Sequence, residues 1–257
     1  MSAIDTFLWV AFPWLSLAVF IIGTLWRWRY DQFGWTTKSS QIYESKLLRL
    51  SSPVFHYGML GVIGGHVIGL AIPKSWTLAV GVSESVYHFV AAYIGTLFGA
   101  AAVVGLLGLL YRRFVTRTVH LATSVGDKIM YLLLTTAIML GVYATVSTQI
   151  LGDAHGYDYR ETISPWLRSV FSFQPQPELM SDVPLAFKLH IIAGLILCIA
   201  WPFTRLVHVF SAPVGYATRP YVVYRSREAT MEDHHRAGWE SIHTRPSEAQ
   251  QARSYGA

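Results

Sequence analysis

The sequence predicts an all-α membrane protein: a bundle of five transmembrane helices, N-terminus outside the cytoplasm and C-terminus inside. Three observations predict it. Only 14% of the 257 residues are charged while 53% are hydrophobic, against about 25% charged in a soluble globular domain. Five apolar stretches are long enough to cross a hydrocarbon core of about 30 Å. The basic residues fall between those stretches, with a strong bias to one side.

The stretches run from Ile4 to Leu25, Pro53 to Ile72, Tyr87 to Leu110, Ile129 to Ile150 and Pro184 to His208. The first has no basic residue ahead of it, and Arg27 and Arg29 follow it. A secretory signal has the reverse layout, so this stretch reads as a retained helix. The segment from Arg27 to Arg49 holds five basic residues, Arg112 to Lys128 four, and the chain from Arg205 onward seven. The opposite side has only Lys74, Arg160, Arg168 and Lys188. Sixteen against four sets the orientation. The same distribution makes the net charge of +5 a topology signal rather than a nucleic-acid footprint. The segment 151–183 is then external and caps the bundle. Residues 1–210 form the membrane domain. Residues 211–257 form a cytoplasmic tail, partner-binding at first and then flexible, polar from about Glu228 onward. His234 and His235 in that tail read as solvated residues rather than ligands.

Four histidines lie within two of the apolar stretches. His190 and His208 are eighteen residues apart. On one continuous helix that is five turns, one shared face and about 27 Å. His56 and His66 are ten residues apart, about 15 Å. Helices two and five run antiparallel, so the natural pairs are His56 with His208 on the inner side and His66 with His190 on the outer side. The difference of about 12 Å between the two spacings has to be absorbed by tilt.

An ionisable group within a membrane helix is costly, and it has a function or a buried partner. One reading is that each imidazole only bonds a neighbouring helix. The other is a pair of metal centres stacked across the bilayer. A b-type haem suits the spacing, because it asks the protein only for axial ligands. Structural zinc needs four ligands close together. The single Cys198 rules out an intrachain disulfide and a cysteine-rich cluster. Gly58, Gly61, Gly64, Gly65, Gly69 and Gly194 leave room for a macrocycle, or equally serve close helix packing. Arg112, Arg113 and Arg205 lie at the inner boundary, either as partners of haem propionates or as snorkelling anchors. Two haems at different depths make a path for electrons, and quinol is the natural lipid-soluble donor. Its site falls beside the outer pair, near His66, Gly65, Lys74, Glu84, Tyr87 and His88, with His88 read as an interfacial residue before a proton acceptor.

The strings around these histidines resemble the respiratory nitrate reductase gamma subunit. They are F-H-Y-G-M-L-G-V-I-G-G-H-V-I-G at Phe55–Gly69, K-L-H-I-I-A-G at Lys188–Gly194 and W-P-F-T-R-L-V-H-V-F-S-A-P-V at Trp201–Val214. Ser39–Gln41, L-Y-R-R-F at Leu110–Phe114 and Y-A-T-R-P-Y at Tyr216–Tyr221 extend the match. The resemblance covers about residues 1–227 and implies a dihaem cytochrome b in the bacterial cytoplasmic membrane. It implies two partners, an iron–sulfur electron-transfer subunit and a molybdenum-cofactor catalytic subunit. It assigns His56 and His208 to the inner haem and His66 and His190 to the outer one, with quinol oxidised near the outer haem. One departure concerns a lysine that family members can carry near the start of helix three. Here Glu84–Phe89 reads E-S-V-Y-H-F, without lysine. Two alternatives stay open: a dihaem cytochrome serving another quinone-linked reductase, and a haem-free anchor or transporter. A transporter often carries inverted repeats and broken helices, and the sequence shows neither.

Overall fold

The computed structural model describes residues 2–35, 39–152 and 157–211. Five helices in it are long and apolar enough to cross a membrane. They are α1 (Ala3–Tyr30), α2 (Lys46–Ala71), α3 (Glu84–Val115), α4 (Val125–Ile150) and α5 (Leu185–Phe203). Each prediction of a span is met, and α1 to α4 run past the apolar stretch at one end or both. The starts of α1, α3 and α4 are polar-capped. Ser2 with Asp5 and Ser124 with Asp127 form reciprocal capping boxes, and Ser83 accepts the amide of Val86. Each cap satisfies N–H groups that a helix start leaves without intrahelical partners.

The fifth helix differs from the expectation. It does not continue to His208: α-helix ends at Ala200, Trp201–Phe203 tightens to a 3₁₀ turn, and Thr204 is extended at φ −119°, ψ 177°. A separate 3₁₀ helix, Arg205–Ser211, carries His208. Pro202 is the physical reason, because it has no N–H to give to the preceding turn and its ring crowds that turn. His190 and His208 therefore share no helix face. From His190 to Ala200 the helix climbs about 15 Å, matching His56 to His66. With both histidine ring pairs close, at 6.2 Å and 5.9 Å between centres, the break takes up the expected mismatch between the ladders.

α2 packs along α3, and α5 lies between α4 and α1. The α2–α3 seam is made by small residues. A Cβ on Gly58 would lie 2.5 Å from the Ala102 amide nitrogen, and one on Gly105 would overlap the Phe55 backbone. Gly61 instead faces the Phe98 ring, while Gly64, Gly65 and Gly194 have no neighbouring atom within 4 Å of a Cβ position. The glycines thus divide into packing positions and open ones. One apolar cluster joins α3, α4 and α5 through Leu106, Met130, Leu134 and Leu197. A second closes the opposite end around Trp9, Trp166 and Met180.

That end has two further features. Four π-helical turns lie there: Phe7–Ala11, Val67–Ala71, Val90–Ile94 and Val146–Ile150. The connection before α5 folds over it through the short helix Ile163–Phe171. Trp166 donates its indole N–H to the Trp9 carbonyl at 3.0 Å. Ser164 and Arg168 donate to the carbonyls of Gly69 and Leu70, where the end of α2 would otherwise leave acceptors unpaired. The segment 157–183 caps the bundle, as expected. The tail beyond residue 211, with His234 and His235, lies outside the described residues.

Gly105→Val should lower the unfolding temperature in detergent, since its β-carbon meets backbone that cannot yield. Overpacking of this kind costs about 1–3 kcal/mol. Gly126→Ala, with only the Ser124 hydroxyl near its Cβ position at 3.9 Å, should leave that temperature unchanged.

Candidate dihistidine metal centres

α2 carries two histidines, and each meets a partner from the other end of the chain. The rings of His56 and His208 are 6.2 Å apart between centres, with planes at 69°. Those of His66 and His190 are 5.9 Å apart, with planes at 50°. The pairs are the ones that parity and spacing predict. Two imidazoles bound on opposite sides of one metal, each at about 2 Å, have centres about 6 Å apart.

All four rings are oriented alike. His56 Nδ1 bonds the Ser52 carbonyl at 2.7 Å, and His66 Nδ1 bonds the Val62 carbonyl at 2.8 Å. Both are bonds back one turn along α2. His190 Nδ1 reaches across to the Ala137 carbonyl of α4 at 3.0 Å, and His208 Nδ1 bonds the Arg205 carbonyl at 2.6 Å. A carbonyl only accepts, so each Nδ1 carries the proton and each Nε2 keeps its lone pair. A histidine that binds a metal through Nε2 needs this tautomer, with the other ring nitrogen held by an acceptor. Among the described residues no group of three or more His, Cys, Asp or Glu could hold a bare ion. The donor set is two imidazoles per centre.

The sequence reading missed several residues that set this geometry. Gly141 lets His190 approach α4: a Cβ there would lie 2.8 Å from His190 Cε1. Ala137 and Gly141 stand four residues apart, on one face of α4, but neither small residue signals a ligand's partner. Asp127 binds Arg205 through Nε at 2.9 Å and Nη2 at 2.7 Å, so it fixes the residue whose carbonyl orients His208.

A cavity of about 550 Å³ opens beside His56 and His208. Leu106, Leu109, Met130 and Leu134 give it apolar walls, and Arg49, Arg112, Arg113 and Arg205 line it. Arg49 stands two turns before His56 on α2 and was not singled out from sequence. Arg112, 2% exposed, donates to Ser40 and to Glu44, its Nε meeting the Glu44 carboxylate at 2.6 Å. Arg205 pairs with Asp127, and Arg113 stacks over Tyr131. These cations line the cavity while already bonded to protein.

Beside the His66–His190 pair, Gly65 faces open space. Tyr87 shares a 2.9 Å hydrogen bond with Tyr159, and both hydroxyls lie against Gly69, three residues after His66. Arg160 covers the Tyr87 ring at 3.9 Å. Burial, then the bond to Tyr87, pushes the Tyr159 hydroxyl far above the usual phenol range. His88 instead turns to α4, its Nε2 donating to Gln149 Oε1 at 3.1 Å. Lys74 holds three carboxylates, Glu161 at 2.8 Å, Asp158 at 2.9 Å and Glu84 at 3.5 Å. The hydrogen bonds to Glu161 and Asp158 raise its pKa well above the ordinary lysine value.

Fold and centres define a multi-pass bacterial membrane protein built around two opposed histidine pairs. The family model described as nitrate reductase gamma subunit matches residues 5–227, and the chain belongs to that family. It is 50% identical over 233 residues to the nitrate reductase-like protein NarX of Mycobacterium tuberculosis, covering 90% of this chain. It spans only 35% of that longer relative. Identity to the nitrate reductase gamma chain of Bacillus subtilis is 46%, covering 86% of this chain and 97% of the relative. Identity to the respiratory nitrate reductase 2 gamma chain of Escherichia coli is 30%, covering 87% and 98%.

Lys74→Met should raise hydrogen exchange in 157–171 by about tenfold, with the centre of α2 unchanged, because partly exposed pairs contribute about 1 kcal/mol or less each. A pKa raised in the fold gives stability that is complete below the unfolded value and lost as pH rises through the folded one. Protection factors in this segment that Lys74 supports should therefore stay flat from about pH 6 to pH 9.

Proposed function

We propose that this chain is the dihaem cytochrome b subunit of a quinol-linked nitrate reductase. The observation that carries the reading is the common orientation of the four histidines, two opposed pairs each presenting two unprotonated Nε2 atoms. The fit to haem is supported by the distances between ring centres, by the lack of further ligands for a bare ion among the described residues, and by the open glycines and the walled cavity. A bis-imidazole haem supplies one-electron carriage without an open coordination site. His56 and His208 hold the inner group, and His66 and His190 the outer one.

The chain's own residues orient and insulate these groups. The backbone carbonyls fix each imidazole plane, and the apolar walls of α3 and α4 keep water from the inner cavity. Arg112 and Arg205, with Arg49 and Arg113, give the positive potential that favours propionates there. The bonds of Arg112 to Glu44 and of Arg205 to Asp127 hold those two guanidiniums in place beforehand. Sixteen basic residues against four support an N-terminus outside and a C-terminus in the cytoplasm, which puts the His66–His190 end outside.

Quinol is oxidised at that end. Its two electrons go inward and its two protons outward. Gly65 gives the ring access beside His66, and the Tyr87–Tyr159 hydroxyl pair, with His88 next in sequence and turned toward α4, supplies polar contacts where family members can carry a lysine. A cytoplasmic iron–sulfur subunit receives the electrons and a molybdenum-cofactor subunit reduces nitrate. The 46% identity over nearly the whole Bacillus gamma chain supports these partners. The 50% identity to part of a longer nitrate reductase-like protein favours, as a second reading, a dihaem module of a differently assembled reductase.

Reduced-minus-oxidised spectra of the purified chain should show b-type haem at about two per chain, and its absence under adequate haem supply rejects the reading. His56→Ala or His208→Ala should remove the inner haem alone, and His66→Ala or His190→Ala the outer one. Copurification from native membranes, with nitrate reduction from a quinol donor, separates the two readings.

A further inference from the structure

The break in α5 leaves His208 on a short 3₁₀ helix with no continuous α-helix behind it. Something must set the direction in which that helix leaves the break. Arg27, near the end of α1, sits directly against it and is only 7% exposed. Its Nη1 donates to the carbonyl of Pro202 at 2.6 Å and to that of Thr204 at 2.8 Å. These are the carbonyls on either side of Phe203, where the helix stops. Nη2 donates to the Gly34 carbonyl at 2.7 Å, and Nε to Asp31 at 3.1 Å. Asp31 in turn accepts the Gly34 amide at 3.1 Å. Every guanidinium nitrogen is engaged, and two of the four bonds fix the break.

The same face of α1 presses on the break above Arg27. Gly23, one turn earlier, allows Pro202 to pack so closely that a Cβ would lie 2.9 Å from the Pro202 Cβ. Phe20 packs edge-on against Trp201 and Phe210, at 6.1 Å and 5.9 Å. Positions 20, 23 and 27 follow the i, i+3, i+7 spacing of one helix face. α1 carries none of the four histidines, yet one of its faces is matched to the element that delivers one of them.

We infer that Arg27 is a positioning residue for His208, acting through the carbonyls of Pro202 and Thr204 to set the inner metal centre. The inference rests on the dihaem reading. From Arg205 to His208 the 3₁₀ helix rises about 6 Å, so a rotation of about 10° at the break moves His208 by about 1 Å. A metal–nitrogen bond tolerates about 0.2 Å. Arg205 and Asp127 hold the side-chain layer beyond the break, whereas Arg27 holds the backbone at it.

The test uses the full chain in membranes, with optical and low-temperature paramagnetic resonance spectra of both haems. Arg27→Gln should remove the inner haem, or shift its resonance signal and midpoint potential, while the outer haem signal is unchanged. Arg27→Lys keeps a cation that can donate to both carbonyls but releases Gly34 and Asp31. It should retain both haems with only the inner signal shifted. Arg29→Gln, on the exposed side of the same helix, should match the parent. An unchanged inner signal in Arg27→Gln overturns the inference. If Arg27→Gln loses both haems, the lysine variant decides, and an unchanged or equally shifted pair of signals in it overturns the inference. Absence of haem in the parent chain rejects the dihaem reading, a result distinct from any of these.

Discussion

An imidazole inside a bilayer has two ring nitrogens, and only one can face a metal. The other must give its proton to an acceptor, because no water is at hand to take it. The four Nδ1–H···O=C bonds meet this constraint, and the rest of the fold arranges the carbonyls that accept them. On α2 the acceptor is already present one turn back, so His56 and His66 come with their support as long as the helix is regular. Helix α5 and the 3₁₀ segment have no such uniform solution. His190 borrows a carbonyl from α4, which requires close approach at Gly141. His208 uses Arg205, whose side chain is held by Asp127.

Three of the four acceptors are therefore local and one, the Ala137 carbonyl, is tertiary, while the break that carries His208 is tertiary too, and the sequence was readable along that division. Low charge density, five apolar stretches and loop bias specify the bundle, because the bilayer imposes length and polarity directly on the chain. Ten-residue spacing and helix parity specify the pairs His56–His208 and His66–His190. Pro202 was visible but its effect was not. A proline in a membrane helix is tolerated wherever neighbours resatisfy the freed groups, and Arg27 is that neighbour, 175 residues away. Gly141 and Ala137 carry no chemical mark at all. Their role exists only once α4 and α5 are side by side.

Charged residues show the same split. Arg112 and Arg205, singled out from the sequence, line the cavity beside His56 and His208. Low dielectric makes an unpaired guanidinium costly, so each is tied to a carboxylate, Glu44 or Asp127. Those acids lie far from their partners in sequence, and no local pattern announces them. At the other end Lys74 gathers carboxylates from α3 and the capping segment, binding the cap to the helix ends. Tyr87 and His88, neighbours in sequence, point to different helices, which a reading by proximity along the chain cannot resolve.

The π-helical turns carry a consequence of their own. Each accommodates one residue more than a regular turn, within the run of α1 and α3 and as the closing turn of α2 and α4. On α2 that surplus begins at Val67, immediately after His66. Removing a single residue there would restore ordinary winding and swing everything beyond it by about 100°, while His56 and His66 keep their bearings. The same holds in mirror order for α3, where the surplus lies before the long straight shaft that packs on α2. Insertions and deletions at these turns are thus a way to remodel the mouth of the bundle while its histidine-bearing shaft stays in register.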